Sequence, residues 1–388
     1  MTSHPSEFRN QQGLRAVISG VGCVRERLAQ ELDALSIRRP LVVCGATLAR
    51  SPVLEVVRRA LGRPGVVFDG SQPHTPVETV DRGVAAALAA RADGLVAVGG
   101  SSAVDCAKGI AVLVASGRER VAELEPIHFE RLFEAPRETH PRFPLLAVTT
   151  TLSFAEFLPF WAVRRGDLLR KLPYPDLECV ERTVFLDGEL AAHTPEDVWL
   201  ETGVKALDDA LSAYCRSAAP EPFLDPVLVA AIGQLVELLP ASGTGGSAAR
   251  RQKILTACWM TKLWLPRLGA FAVPAWFSTT ARHSLGAVCA VPHGAASCVA
   301  LPHALRHHAD ATRSRQAALA SALGGKVSDE VPLAPAIGAL LDRLRVPRRL
   351  RDLGIEREAL AEVVSAMRSE SPKLGSGETL LRACEEMF

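Results

Sequence analysis

The sequence predicts two parts, an α/β part with a mainly parallel sheet over residues 14–187 and an all-helical part over residues 188–388. Three observations carry this. Up to about residue 187, short apolar runs alternate with amphipathic stretches, the pattern of βαβ units. Beyond Asp187 good strand runs nearly vanish and long helical stretches take over. A chain of 388 residues, 48% apolar and 22% charged, has ordinary globular composition and is long enough for two domains.

Residues 1–13 are polar and are expected to form a flexible N-terminus. Leu41-Val-Val-Cys44, ending at Gly45, reads as a buried strand, and Val66-Val-Phe68, closed by Asp69-Gly70, as another. Thr75-Pro76 opens a helix, with Thr75 expected at the cap, Pro76 in the first turn and Glu78 beyond. That helix runs through Val80, Val84, Ala87 and Leu88. Gly94–Val98 is the next strand and Leu145–Val148 a later one. Helices are then expected over 196–217, 225–239, 248–265, 294–308, 311–323, 332–345 and 356–369. The Gly/Ser-rich segment 241–247 lies between helices without a preceding strand, so it reads as a turn and not as a phosphate loop. The chain has no internal repeat and no low-complexity tail.

Charge and cysteine usage narrow the function classes. Net charge is +1, from 44 basic and 43 acidic side chains, which argues against a nucleic-acid groove or a membrane-binding face. No apolar run is expected to reach the roughly 18 residues that span a bilayer, and the N-terminus lacks an apolar signal core. Nine dispersed cysteines with no CxxC pair point to reduced thiols in a cytoplasm. Cys106, Cys289 and Cys298 lie near the motifs below and read as packing residues. Only seven of the basic residues are lysines, which makes each lysine informative.

The strongest local motif is Gly94-Leu-Val-Ala-Val-Gly99-Gly100-Ser101-Ser102-Ala-Val-Asp105-Cys-Ala-Lys108. A strand runs into two glycines and two serines and then into a helix. Glycines let the backbone approach a pyrophosphate, and the helix N-terminus offers N–H groups and a positive dipole end. At the end of the second strand, where NAD sites often place a carboxylate against the ribose, stands Gly45, so NADP is admitted as well as NAD.

These residues resemble the G-G-G-S-x-x-D-x-A-K loop of the iron-containing (group III) alcohol dehydrogenases, with Ser101 for the third glycine. Further matches carry the resemblance over most of the chain. Asp69-Gly-Ser-Gln-Pro-His-Thr-Pro76 is similar to D-G-V-x-P-N-P. Thr149-Thr150, Ser153 and Glu156 match P-T-T-x-G-T-G-S-E in part, with Val148 for Pro and Leu152 and Phe154 for two glycines. The resemblance implies a Rossmann-like sheet domain plus a helical domain, the dehydroquinate-synthase-like, iron-type alcohol dehydrogenase architecture. It implies NAD(P) bound by Gly45, Asp69, Gly99, Gly100, Ser101, Ser102, Asp105, Lys108, Thr149, Thr150 and Ser153. The nearest flavour is that of maleylacetate reductases.

The resemblance also exposes a departure. Gly203–Tyr214 is similar to G-x-D-A-x-x-H-A-x-E-A-Y, and Thr279–Gly294 to H-x-x-x-H-x-L-G-x…P-H-G. In the family the Asp, the first His, and the first and last His of the second motif bind a divalent metal. Here those positions hold Lys205, Asp209, Thr279 and His293, and His283 keeps the non-ligand His. An ammonium repels a cation and Thr is a poor ligand, so the expectation is no metal. A desolvated Lys205 would instead donate to a developing alkoxide or enolate, Asp209 one turn later would hold it, and His283 or His293 would relay the proton.

The expected protein is a cytoplasmic NAD(P)-dependent dehydrogenase or reductase of a hydroxyl/carbonyl pair in specialised, natural-product metabolism, and the resemblance implies a homodimer. Three alternatives stand beside it. One is an oxidative decarboxylase of a β-hydroxy acid, such as the C-terminal Thr of a ribosomal peptide. The second is a non-catalytic dinucleotide-binding scaffold, and the third a synthase or lyase of the dehydroquinate-synthase type.

Overall fold

A computed structural model describes residues 14–126, 143–166, 171–175, 181–217, 219–263, 275–324 and 331–388. The expected flexible arm, residues 1–13, lies outside them. The strands are β1 (Ala16–Ser19), β2 (Pro40–Gly45), β3 (Val66–Ser71), β4 (Gly94–Gly99), β5 (Leu145–Thr149), β6 (Phe160–Arg164), β7 (Lys171–Pro175) and β8 (Thr183–Leu186). Six of them form one parallel sheet in the order β1-β8-β5-β4-β2-β3, while β6 and β7 make a separate antiparallel pair. Among the described residues no strand follows β8.

The sheet is covered on both faces by α1 (Cys23–Ala34), α2 (Ala46–Ala49), α3 (Pro52–Ala60), α4 (Val77–Ala89) and α5 (Ser101–Ala115). Alternate strand residues divide between two cores, as a pleat with period two requires. Leu41, Val43, Leu95, Ala97 and Leu145 pack with Val80, Val84, Val104 and Ile110 of α4 and α5. Val42, Cys44, Val96, Val98 and Leu146 pack with Leu28, Leu32, Leu54 and Val57 of α1 and α3. At the start of α4, Pro76 and not Thr75 is the cap, because Thr75 has left-handed backbone (φ 51°) and only Pro76 takes the extended geometry of a helix entry.

The helical part contains α6 (Gly188–Ala191), α7 (Glu196–Arg216), α8 (Leu224–Leu238), α9 (Ala248–Met260), α10 (Phe277–Cys289), α11 (His293–His307), α12 (Ala309–Ala322), α13 (Ala334–Leu344), α14 (Leu360–Glu370) and α15 (Gly377–Met387). Asp187 caps α6 by accepting from Glu189 N, and also accepts from Gly22 N and Val24 N, which ties β8 to the start of α1. The long α7 runs through the largest core, with Val204, Leu207, Ala210 and Leu211 fully buried. Its first turn carries Glu196 and Asp197, which suit the positive end of the helix dipole.

Two features differ from the sequence expectation. α10 and α15 have no counterpart among the predicted helices. The buried face of α10 includes Ser278, Thr280, Arg282 and Ser284, so its apolar period is broken by polar residues, of which Ser278 and Arg282 pair with Asp208 and Thr280 with Ser371. The stretch Leu224–Ala241 does have the length and apolarity to cross a membrane, contrary to the expectation that no run reaches this. Here α8 packs on α7 and α9, and Asp225 in its first turn is paired with Arg315 of α12.

Candidate active site

A cleft of about 1510 Å3 lies between the carboxyl ends of β2 and β4 and the helices α7, α10 and α11. This is where parallel sheets bind ligands, because strand ends and helix N-termini converge there. One wall is the Gly-rich turn. Gly99 has φ 140°, a conformation that favours glycine. A Cβ on Gly100 would lie 2.7 Å from Thr151 Oγ1, so this residue has no room for a side chain. Ser101 and Ser102 begin α5, where the first N–H groups of a helix have no intrahelical acceptor. Gly45, Gly99, Gly100, Ser101, Ser102, Asp105, Thr150 and Ser153 all line the cleft.

Three expected cofactor residues do not. Lys108 is fully buried beneath the turn and donates to Ala155 O and Leu158 O, both at 2.7 Å, with Glu181 at 3.5 Å. It holds the loop after β5 in place and cannot reach a phosphate, because α5 turns its eighth residue inward. Thr149 is buried and its hydroxyl donates to Glu156. Asp69 is exposed at the end of β3 and is not part of the cleft lining, to which that strand contributes Ser71. Asp105 reaches the cleft but is paired with Lys171 at 3.3 Å.

The opposite wall is a cluster of charges. Asp209 Oδ2 accepts from Lys205 Nζ and Lys262 Nζ, both at 2.8 Å, and its Oδ1 accepts from Arg282 Nη2 at 2.6 Å. Arg282 Nη1 donates to Asp208 Oδ2 at 3.1 Å, and Trp276 and Ser278 donate to Asp208 Oδ1. Burial alone would raise the Asp209 carboxyl, but Arg282, Lys205 and Lys262 hold it well below its ordinary value. Burial pushes Lys205 down to about 8; Asp209 opposes this and Lys262 and Arg282 add to it. Burial also pushes Asp208 up, yet all three of its contacts donate to it, the geometry of an ionised carboxylate. Three cations therefore face two carboxylates, leaving one net positive charge. Lys205 is the most exposed of the three, at 13% against 4% for Lys262 and 7% for Arg282, so the surplus faces the cleft.

Imidazoles complete the site. His293 is the first residue of α11, 5.4 Å from the ring of His283 and 6.3 Å from that of His74. Burial, then His283 and Lys171, hold His293 well below its ordinary value, so it stays neutral. His283 Nδ1 lies 2.6 Å from Glu370 Oε1. Lys262, Arg282, Lys171 and Glu370 carry no role in the sequence reading. Scarcity was the available signal for the two lysines, and an Arg inside the quoted motif the signal for Arg282.

Two family descriptions match this chain: iron-containing alcohol dehydrogenase over residues 15–187, and the C-terminal part of the Fe-containing alcohol dehydrogenase family over residues 199–374. The chain belongs to the iron-containing alcohol dehydrogenase family. Lactaldehyde reductase of Escherichia coli (strain K12) is 26% identical over 350 residues, 87% of this chain and 88% of that protein. Sulfoacetaldehyde reductase from Bifidobacterium kashiwanohense, solved in complex with NAD+, superposes with a TM-score of 0.82 at 21% identity, covering 98% of each chain. Maleylacetate reductase from Agrobacterium tumefaciens gives 0.78 at 21% identity, over 99% of this chain and 98% of that one. These superpositions share the fold and do not single out the maleylacetate reductases. Membership makes this iron-containing alcohol dehydrogenase homologue an oxidoreductase of the alcohol dehydrogenase type.

The metal of the family does not fit the residues at its position. Lys205 is a cation, Thr279 is a weak donor, and both oxygens of Asp209 are taken by protein cations, which leaves His293. His283 engages Glu370, and among the described residues no group of three or more His, Cys, Asp or Glu converges. The dinucleotide fits better: the side-chain-free Gly99–Gly100 turn and the start of α5 form a cradle open to the cleft.

Proposed function

We propose that this protein interconverts a hydroxyl and a carbonyl with NAD(P), and that the Lys205 ammonium, in place of a divalent metal, polarises the reacting oxygen. One observation carries the reading. Lys205 donates to Asp209 Oδ2 and Ser153 O, so one of its three N–H donors remains uncommitted among the described residues, in the cleft that also contains the Gly99–Ser102 turn.

Gly99, Gly100, Ser101, Ser102, Thr150 and Gly45 would hold the dinucleotide, and its nicotinamide supplies the hydride acceptor or donor. The third Lys205 donor stabilises the alkoxide from which hydride leaves, or the carbonyl that receives it. Asp209 fixes the ammonium, while Lys262 and Arg282 keep Asp209 ionised and in place. The proton of the hydroxyl passes to His283, because His293 resists protonation. Gly45 places no carboxylate against a 2′-phosphate, so the reading extends to NADP as well as NAD.

The surplus positive charge favours a second reading within the same site, natural-product tailoring by oxidative decarboxylation. A β-hydroxy acid, such as a peptide C-terminal Thr, gives up hydride to NAD(P)+ and a proton to the protein. The β-keto acid then loses carbon dioxide, and the bonding pair forms an enolate that Lys205 stabilises until it is protonated. Among the described residues no contact in the cleft favours a binding-only scaffold or a synthase.

The test is metal analysis of protein purified without chelator, NAD+ and NADP+ calorimetry, and turnover of simple alcohols and 3-hydroxy acids. Cofactor binding with turnover at far below one metal per chain supports the reading. Turnover that tracks stoichiometric metal overturns it. Carbon dioxide released one-to-one with NAD(P)H selects the second reading.

A further inference from the structure

For His283 to take a proton, something must set its ring and give that proton an exit. His283 lies on α10 one turn after Thr279, and Glu370 is the last residue of α14, which packs on α10. The Nδ1–Oε1 distance of 2.6 Å is short, and both side chains are about a quarter exposed, between the cleft and solvent. A carboxylate at the C-terminal end of a helix sits against the negative end of the dipole, so the helix itself gains nothing from Glu370 there. Charges around the pair come from several elements, Arg282 beside His283 on α10, Lys205 on α7 and Lys171 on β7, and the His293 ring of α11 lies 5.4 Å from that of His283.

We propose that Glu370 is a positioning residue that accepts the Nδ1 proton of His283, so that Nε2 is the nitrogen that takes the hydroxyl proton, and that the pair is the port by which this proton leaves the cleft. A His ring with one nitrogen bonded to a carboxylate is fixed in both tautomer and orientation. The proposal rests on the hydride-transfer reading for its proton but not for its geometry.

Two measurements test it. Nitrogen NMR of histidine-labelled protein, with NAD+ or NADP+ present, reads the tautomer of His283. The expected result is an Nδ1-protonated ring in the native chain and mixed tautomers in Glu370→Ala; an unchanged tautomer overturns the pairing. The second is a double-mutant cycle on kcat for oxidation of 3-hydroxybutyrate and of 1,2-propanediol. Glu370→Gln should lower kcat about 100-fold and raise the solvent isotope effect, with cofactor Kd unchanged and part of the rate kept by Glu370→Asp. In a His283→Ala background, Glu370→Gln should add nothing. Equal losses with and without His283 overturn the proposal in favour of a packing role. If the native chain oxidises neither probe, the hydride-transfer reading has failed, and the tautomer alone decides whether Glu370 positions His283.

Discussion

Replacing Lys205 with Met should separate catalysis from stability in opposite directions. The side chain is 13% exposed and its ammonium is pushed from an ordinary 10.5 to about 8, with burial as the largest cause. The charged form is thus disfavoured in the folded state by roughly 3 kcal/mol, at about 1.4 kcal/mol per tenfold change in proton affinity. Asp209 keeps two partners without it, Lys262 and Arg282. Lys205→Met should therefore leave Tm unchanged or raise it. The same change removes the donor to the reacting oxygen, and loss of one such donor costs about 100- to 1000-fold in kcat, roughly 3–4 kcal/mol. The sign is checked by pH. Between about 8 and 10.5 the unfolded chain holds the Lys205 proton and the folded chain has released it, so stability from this group rises with pH. Urea unfolding of both proteins across that window should show the advantage of Lys205→Met shrinking as pH rises. A large fall in Tm, or a kcat within a few-fold of the native value, would refute the assignment and leave Lys205–Asp209 as a structural ion pair.

Three other outcomes follow from the same geometry. Because Lys205 must carry its proton to donate, kcat should fall as pH rises through about 8, read from initial rates over roughly pH 6 to 10. Arg282→Met removes the fork shared by buried Asp208 and Asp209, and should destabilise by roughly 3–5 kcal/mol in urea unfolding. A loss below about 1 kcal/mol would mean the carboxylates are protonated or hydrated instead. Gly100→Ala places a Cβ 2.7 Å from Thr151 Oγ1 and should weaken NAD(P) binding by about tenfold or more in calorimetry. Adding Thr151→Gly should restore most of it; an undiminished Kd in the single variant would remove the turn from the cofactor site.

The parallel sheet was legible because its strands are buried on both faces. Leu41-Val-Val-Cys44 sends alternate residues into two cores, so the whole run must be apolar, and such a run closed by glycine stands out in the sequence. Helices with an apolar stripe, such as α7 and α13, were legible for the same reason. The stripe of α10 is not apolar: Ser278 and Arg282 face inward to meet Asp208, and a pattern built on hydrophobicity cannot find a helix whose partners are buried charges. The Gly99–Ser102 turn could be placed by motif, but motif cannot tell which of its residues line the cleft. Lys108 shares the motif with Gly99 but is fully buried, with its ammonium spent on two carbonyls of the loop after β5, a distinction set by packing and not by motif.

The charge cluster shows why the rest was not legible. Lys205 and Asp209 are four residues apart on one helix, so their pairing could be anticipated from spacing alone. Lys262 and Arg282 reach the same carboxylate from 53 and 73 residues away, and no local pattern encodes that meeting. Yet they change the chemistry of the site. With Lys205 alone, Asp209 would hold one cation and could release it to a metal. With all three, each Asp209 oxygen is occupied, and any divalent ion must displace an ammonium or guanidinium that has few other buried acceptors. Loss of the family's ligand types is thus only half of the departure. The other half is a set of cations, Lys205, Lys262 and Arg282, that occupies both oxygens of Asp209, with Lys205 the most exposed of the three.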